Sequence, residues 1–395
     1  MTTHSVAIGE VAVLNPKQPG RAADNSMMVP FIPMAAVREN GGVVAEDRRL
    51  LADLDNGYTY FEKGDVLLAK ITPCFENGKA AHLGSLSHPF GFGSTEFHVL
   101  RAGPHLDSRY LYHAVRSPHF LRSGASRMTG SAGQQRVPAA FVARYQIPLP
   151  PLPAQRRIAE RLDKADAIRR KRQESLRLLD EFLRSTFLEM FGDPVRNERG
   201  WETSQMGDVI AETQYGTSAL ANTHGHGLPV LRMNNITPAG AIDLTAIKWC
   251  EIEARDFDKY TVRRGDLLFN RTNSPELVGK TAVWDRDELY AFAGYLVRVR
   301  FDQLRVLPEY VSGYLNSAYG KHMLFEKAKP SINMSNISPT ELKRLPIPIP
   351  PVATQLRYVK VLETVKLATR RMQNAIPVSD SLFGALAHRA FGAQA

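Results

Sequence analysis

The most constraining feature of this sequence is that it is written twice. Gly64-Asp65-Val66-Leu67-Leu68 returns 201 positions later as Gly265-Asp266-Leu267-Leu268-Phe269. At the same offset Lys70 meets Arg271, and Gly78-Lys79 meets Gly279-Lys280. Ile147-Pro148-Leu149-Pro150-Pro151 returns at an offset of 200 as Ile347-Pro348-Ile349-Pro350-Pro351, with Gln155 matched by Gln355. Phe191-Gly192 and Phe391-Gly392 close the two copies, and Ile8-Gly9-Glu10-Val11 resembles Met206-Gly207-Asp208-Val209 near their starts. A period this long, held across turns, strands and proline stretches, means a duplicated module of roughly 200 residues rather than a short solenoid repeat. The 395 residues therefore divide into two similar bodies, in keeping with the size at which single cores stop growing.

Each module has two parts. The first is a mixed region in which Val66–Ala69 and Leu267–Phe269 read as buried strands opened by Gly-Asp turns, with Phe97–Leu100 and Leu296–Val299 as further strands. Ser108–Arg116 and Pro308–Leu315 carry apolar residues at helical spacing. The second part is a long helix. Prolines 148, 150, 151 and 153 force an extended lead-in, and neither proline nor glycine follows from Ala154 to Phe191. Its apolar positions, including Ile158, Leu162, Leu176, Leu179 and Leu183, recur every three or four residues and need a partner helix. The second copy supplies Val361, Val365, Ala368 and Met372. Pro377 predicts a kink or break near Ala375–Ser379 and a restart through Leu382–Ala390, because an interior proline costs about 3 kcal/mol.

The expected fold is α/β: two strand-centred globular domains joined and separated by two long antiparallel, coiled-coil-like spacer helices, with an internal pseudo-two-fold repeat. The expected boundaries are 1–150 for the first domain, 151–192 for the first spacer helix, 193–345 for the second domain and 346–395 for the second helix. A body of two similar domains and a helical ruler suits reading two separated pieces of one polymer.

Composition narrows the function classes. Fifty Lys and Arg against forty Asp and Glu give a net charge of +10, which permits nucleic-acid binding through phosphate attraction. Two cysteines, Cys74 and Cys250, exclude a disulfide-stapled module and all-cysteine zinc sites. No run is long and apolar enough for a membrane helix and the start lacks secretory-signal regions, so cytoplasm is the expected location. Ser274-Pro275-Glu276-Leu277-Val278-Gly279-Lys280-Thr281 misses a phosphate-binding loop by its first residue and reads better as a strand-linking turn. Phe90-Gly91-Phe92-Gly93 lacks the acidic residue a dinucleotide loop needs, and His224 and His226 have no nearby ligands to complete a zinc set. His-Glu-x-x-His and Gly-x-Ser-x-Gly are absent, and no catalytic residue or metal site is expected.

The twice-repeated Ile-Pro-Leu/Ile-Pro-Pro-x-x-x-Gln, at 147–155 and 347–355, and the Gly-Asp-x-Leu-Leu-type turn and strand resemble the specificity subunit of type I restriction-modification systems. The resemblance covers the whole chain. It implies two target-recognition domains, each reading one half of a bipartite double-stranded DNA sequence, with spacer helices fixing the gap and docking partners. Those partners are two DNA adenine methyltransferase modification subunits that use S-adenosylmethionine for N6 methylation. Restriction-translocation subunits that use ATP and Mg2+ can join them, while the subunit itself binds no cofactor, catalyses nothing and touches no membrane. A subunit serving a methyltransferase alone, or another non-translocating bipartite system, is the alternative.

Base readout takes paired donors and acceptors, typically Arg or Lys on guanine and Asn or Gln on adenine, while phosphate contacts set register. The first domain offers Lys70, Arg122, Arg127, Gln134, Gln135 and Arg136. The second offers Arg232, Asn234, Asn235, Asn270, Arg271, Asn273, Asn333 and Asn336. Singly, each also fits a solvated or turn-capping side chain. Lys70 and Arg271 hold matched positions just past buried strands, which suits a pair of phosphate clamps.

Overall fold

The computed structural model describes residues 4–18, 26–39, 41–54, 57–131, 133–331 and 334–392. They form two compact units, one from the residues up to 174 together with 372 onward, the other from 175 to 371.

In the first unit, strands Ala12–Leu14, Phe97–Ala102, Val66–Ala69 and Ala80–His82 lie in that order in an antiparallel sheet. A second sheet runs Asp47–Leu50, Met28–Ile32, Phe90–Gly93 and Thr59–Glu62, with the middle pair parallel. Gly91 and Gly93 are required by close packing here: a Cβ would stand 2.6 Å from Pro30 O and 2.8 Å from Ile32 O respectively. The second unit repeats the order of these two sheets strand for strand. Its first sheet runs Ile210–Tyr215, Leu296–Phe301, Leu267–Asn270 and Thr281–Val283. Its second runs Lys248–Cys250, Leu228–Leu231, Tyr290–Phe292 and Thr261–Val262, again with a parallel middle pair.

The motifs that betray the duplication are the joints of this scaffold. Gly64 and Gly265 adopt φ of +94° and +90°, which a side chain resists. The aspartate after each is buried: Asp65 takes two hydrogen bonds from Arg101 (2.9 and 2.8 Å), and Asp266 takes two from Arg300 (2.7 and 3.2 Å). Each also accepts from the backbone, Asp65 from Glu62 N and Asp266 from Arg263 N. Gln155 and Gln355 are fully buried and tie each helix start to the domain beside it. Gln155 accepts from Asp107 N (2.8 Å) and donates to His105 O (3.0 Å) and Pro150 O (2.8 Å). Gln355 accepts from Leu307 N (2.7 Å) and donates to Arg305 O (2.9 Å) and Pro350 O (2.8 Å). The phenols of Tyr110 and Tyr310 donate to Pro148 O and Pro348 O, each at 2.8 Å.

The long helices are Leu152–Phe191 and Val352–Phe391. The second runs through Pro377 as one helix, so the break and restart expected there do not occur. Side chains add hydrogen bonds to carbonyls just before the proline. Arg172 donates to Ala375 O at 2.6 Å, and the Ser379 hydroxyl reaches Ala375 O and Ile376 O at 3.2 and 2.8 Å.

Helix pairing also differs from expectation for Ile158 and Leu162. They pack into the first unit's core with Phe383, Ala387 and Phe391, from beyond Pro377, instead of with residues 361–372. The direction is antiparallel within that unit, since Arg169 meets Asp380 while Arg172 meets Ala375. In the second unit Phe187 and Phe191 pack on Tyr358, their ring centroids 5.5 and 5.4 Å from its own. Val365 is buried, while Leu176, Leu179, Leu183, Val361, Ala368 and Met372 are half-buried. An apolar period marks which face of a helix is covered, but not which stretch of a second helix covers it.

Candidate nucleic-acid interface

Past the buried strand Val66–Ala69, the backbone at Lys70 is pinned on both sides: its N–H donates to Glu96 O at 2.9 Å and its carbonyl accepts from Val137 N at 2.8 Å. The half-exposed ammonium therefore leaves from a fixed point. Ile71 bridges Arg136, and Arg136 bridges Thr129, bringing the polar segment 134–136 to the same end of the sheet. Arg136 grips Glu96 through Nε and Nη2 at 2.9 and 2.8 Å and places Nη1 3.2 Å from Gln134 O. The guanidinium holds the Glu96 carboxyl below the usual range, chiefly by this hydrogen bonding. Gln134 is exposed, and half-buried Gln135 is fixed by its backbone to Thr72. Lys70, Gln134, Gln135 and Arg136 thus form one cluster.

Arg127 is exposed nearby, donating to Ser123 O and lying 5.5 Å over the Phe141 ring. Arg122 does not join the cluster. It borders a shallow pocket with His119, His388 and Phe391, at the helix end of the unit.

In the second unit Arg271 repeats the position of Lys70. Its N–H donates to Tyr295 O at 3.1 Å and its carbonyl accepts from Ile337 N at 2.9 Å. Thr272–Asn273 continues as a short strand against Met334–Asn336, so Asn336 stands where Arg136 stands in the first unit. The surroundings are unlike. Tyr295 takes the place of Glu96, and the Arg271 guanidinium lies 5.0 Å over the Tyr215 ring. Both tyrosines are about half exposed. The pattern of the residues alone did not single out Tyr215, Tyr295 or Glu96. Aligning the two copies through the strands Phe97–Ala102 and Leu296–Phe301 would have paired Glu96 with Tyr295.

The other candidates divide. Asn336 and Asn273 are half-buried beside Arg271, with Asn273 Oδ1 accepting from Ser274 N at 2.9 Å. Arg232 and exposed Asn234 lie at a different turn, where Arg232 donates to Ala246 O at 2.9 Å. Two candidates are inside the protein. Asn235, 2% exposed, is a turn cap that accepts from Arg232 N and donates to Asp243 O. Asn270, 0% exposed, ends its strand with both amide atoms buried and without a partner. A buried amide offers no edge to a base, so these two positions are corrections to the reading of the second domain's polar runs. Asn333 lies outside the described residues.

Lys280, from the loop that nearly matched a phosphate-binding motif, is buried and donates to Met233 O and Ile236 O at 3.2 and 2.6 Å. That is a strand-linking role. Among the described residues no group of three or more His, Cys, Asp or Glu could hold a metal ion, and no helix is long and apolar enough to cross a membrane.

The comparisons with known proteins agree with the duplication. The protein-family description "Type I restriction modification DNA specificity domain" matches the chain twice, over residues 3–178 and 198–378. The specificity subunit of the type I restriction enzyme EcoEI from Escherichia coli is 36% identical over 227 residues, 55% of this chain and 38% of that protein. The chain thus spans less than half the length of the curated relatives it matches at that level of identity. The EcoKI specificity subunit from Escherichia coli K12 is 25% identical over 337 residues, 80% of this chain and 71% of that protein. The crystal structure of the type I restriction-modification S subunit from M. genitalium shares the fold, with a TM-score of 0.61 at 13% identity over 99% of this chain and 96% of that one.

Proposed function

Because this chain belongs to the family of type I restriction modification DNA specificity domains, we propose that it is the sequence-specific DNA-binding subunit of a type I restriction-modification complex. Each unit reads one half of a bipartite duplex site. The chain aims two modification subunits, which use S-adenosylmethionine to methylate adenine N6. With restriction subunits the assembly uses ATP and Mg2+ for cleavage. The chain itself is not a catalyst, and it acts in the cytoplasm. An adenine inside the stack is out of reach, so the assembled complex flips it into the partner's pocket.

One observation carries this reading. At the same strand end in both units a half-exposed cation leaves a backbone pinned on both sides, and the groups around it differ. The shared cation suits a phosphate contact that fixes register, and the differing neighbours suit reading two different sequences. The net charge of +10 favours the duplex in general.

The test is adenine-methylation mapping in cells carrying the chain with its modification subunits. Exchanging residues 1–150 for the matching part of a relative should alter one half-site, and exchanging 196–345 the other, with the gap retained. A map in which either exchange rewrites both halves would sink the division of labour.

A further inference from the structure

The two units differ in what fills the space between the helix after their first sheet and the long helices. In the first unit three side chains of the helix Ser108–Ala114 and its end fill it: Tyr112, His113 and Arg116. Arg116 donates to the Tyr112 hydroxyl at 2.7 Å, lies 4.9 Å from its ring and meets Asp166 at 3.4 Å. His113 meets Asp163 at 2.8 Å. At an offset of 200 the second unit has Ser312, Gly313 and Asn316 on Pro308–Asn316. Ser312 and Asn316 turn to Thr281, at 3.2 Å from Ser312 Oγ to Thr281 Oγ1 and 2.8 Å from Asn316 Nδ2 to Thr281 O. A cavity of about 520 Å3 opens there, within the size range of small-ligand sites.

We propose that this cavity binds a small aromatic cation, with Phe187, Leu362 and Tyr358 receiving the ring and Glu309 the positive group. The first unit fills this space with an aromatic ring and a guanidinium held by Asp166; the second unit has Lys366 at that acid's position, so its acid is instead Glu309. Phe187 and Tyr358 border the cavity edge to face, at 5.5 Å and 82°. Gly313 keeps them close to the helix: a Cβ there would come within 2.9 Å of the Phe187 ring and of the Tyr358 hydroxyl. Glu309 stands where the first unit has Arg109, which is paired with Asp163. Glu309 makes no ion pair among the described residues, and its neighbour Lys366 is held by Asp285 at 3.2 Å. A carboxylate outside any ion pair, with its nearby cation Lys366 engaged by Asp285, still attracts a positive group in a low-dielectric cavity. Burial raises the Glu309 pKa although Lys366 lowers it, and a bound cation would draw the group toward its charged form.

Tyramine is the probe, titrated calorimetrically into the full chain, with p-cresol as the uncharged comparison. The expected result is saturable one-to-one binding of tyramine. Glu309→Gln should weaken it about tenfold, and p-cresol should bind about tenfold more weakly, the size of a desolvated cation–π and charge contact. Ala239→Trp, at the exposed rim of the cavity, should abolish binding while hydrogen exchange shows the unit folded. No saturable binding at millimolar tyramine, or binding unchanged by Ala239→Trp, would overturn the site. Equal binding of p-cresol and tyramine, with no effect of Glu309→Gln, would overturn its cationic character. None of these outcomes depends on DNA binding, so the proposal fails or stands apart from the proposed function.

Discussion

The strand ends at Lys70 and Arg271 occupy the same point of the same scaffold, yet around Lys70 stand Glu96 and Arg136, and around Arg271 stand Tyr295, Tyr215 and Asn336. The buried joints behind them run the other way. Gln155 and Gln355 make the same three hydrogen bonds, and Asp65 and Asp266 hold equivalent arginines. The difference teaches where variation is tolerated. A buried amide that satisfies three backbone groups cannot be replaced without stranding them, whereas a half-exposed side chain leaves water as an alternative partner.

The largest test of this contrast lies on the long helices. Leu162 is 1% exposed in the first unit's core, while its counterpart Leu362 borders the second unit's cavity. Leu162→Ala should destabilise its unit by about 4 kcal/mol, and Leu362→Ala its own by about 1–2 kcal/mol, because a side chain beside an existing void leaves less new cavity. All three tryptophans, Trp201, Trp249 and Trp284, lie in the second unit, so fluorescence-monitored unfolding reads that unit and hydrogen exchange reads both. Equal losses would mean that the cavity closes in solution.

The joints should behave alike. Gln155→Leu and Gln355→Leu each strand one backbone N–H and two carbonyls, and each should cost about 3 kcal/mol. The same denaturation experiments check it, and a difference above about 1 kcal/mol, the range of one net hydrogen bond, would break the equivalence.

At the strand ends the shared cations should match while their neighbours diverge. Lys70→Ala and Arg271→Ala should each lower the slope of log affinity against log salt by about 0.9 and leave sequence preference intact. Binding titrations on cognate and scrambled duplexes at several salt concentrations decide it. A loss confined to the cognate duplex would move that residue from phosphate to base contact.

The smallest effect is electrostatic and local. Arg136 lowers the Glu96 pKa, so the pair contributes above the ordinary carboxylate pKa and is lost as pH falls through the depressed value. Carboxyl NMR should find the Glu96 midpoint below about 4.3, returning toward that value in Arg136→Met. The second unit has no such titration, since Tyr295 replaces the acid.

Much of the scaffold was legible because its joints are made by residues with few alternatives. Glycine at positive φ, prolines that bar a helix, and a glutamine at one spacing from them leave marks that survive divergence. The asparagines were less legible. Asn235 caps a turn by reaching Asp243, and Asn270 points inward, and neither fact is carried by the residue or its neighbours. A polar run after a strand says that a loop begins, but the pleat decides which side chains face out. Pro377 misled for a related reason, since Arg172, about 200 residues earlier, donates to a carbonyl two residues before it.

The first unit's core needs Phe383, Ala387 and Phe391, although its strands are all made before residue 150. A ribosome moving at roughly 5–20 residues per second leaves that core open for about 10–50 s. Through that interval the apolar face of Ile158, Leu162 and Ala165 is uncovered, and the half-finished chain is the form most exposed to aggregation and to chaperones. The second unit has no such wait, because its closing segment, Tyr358 and Leu362, follows its last strand within a few turns of helix. The half written first is the half completed last.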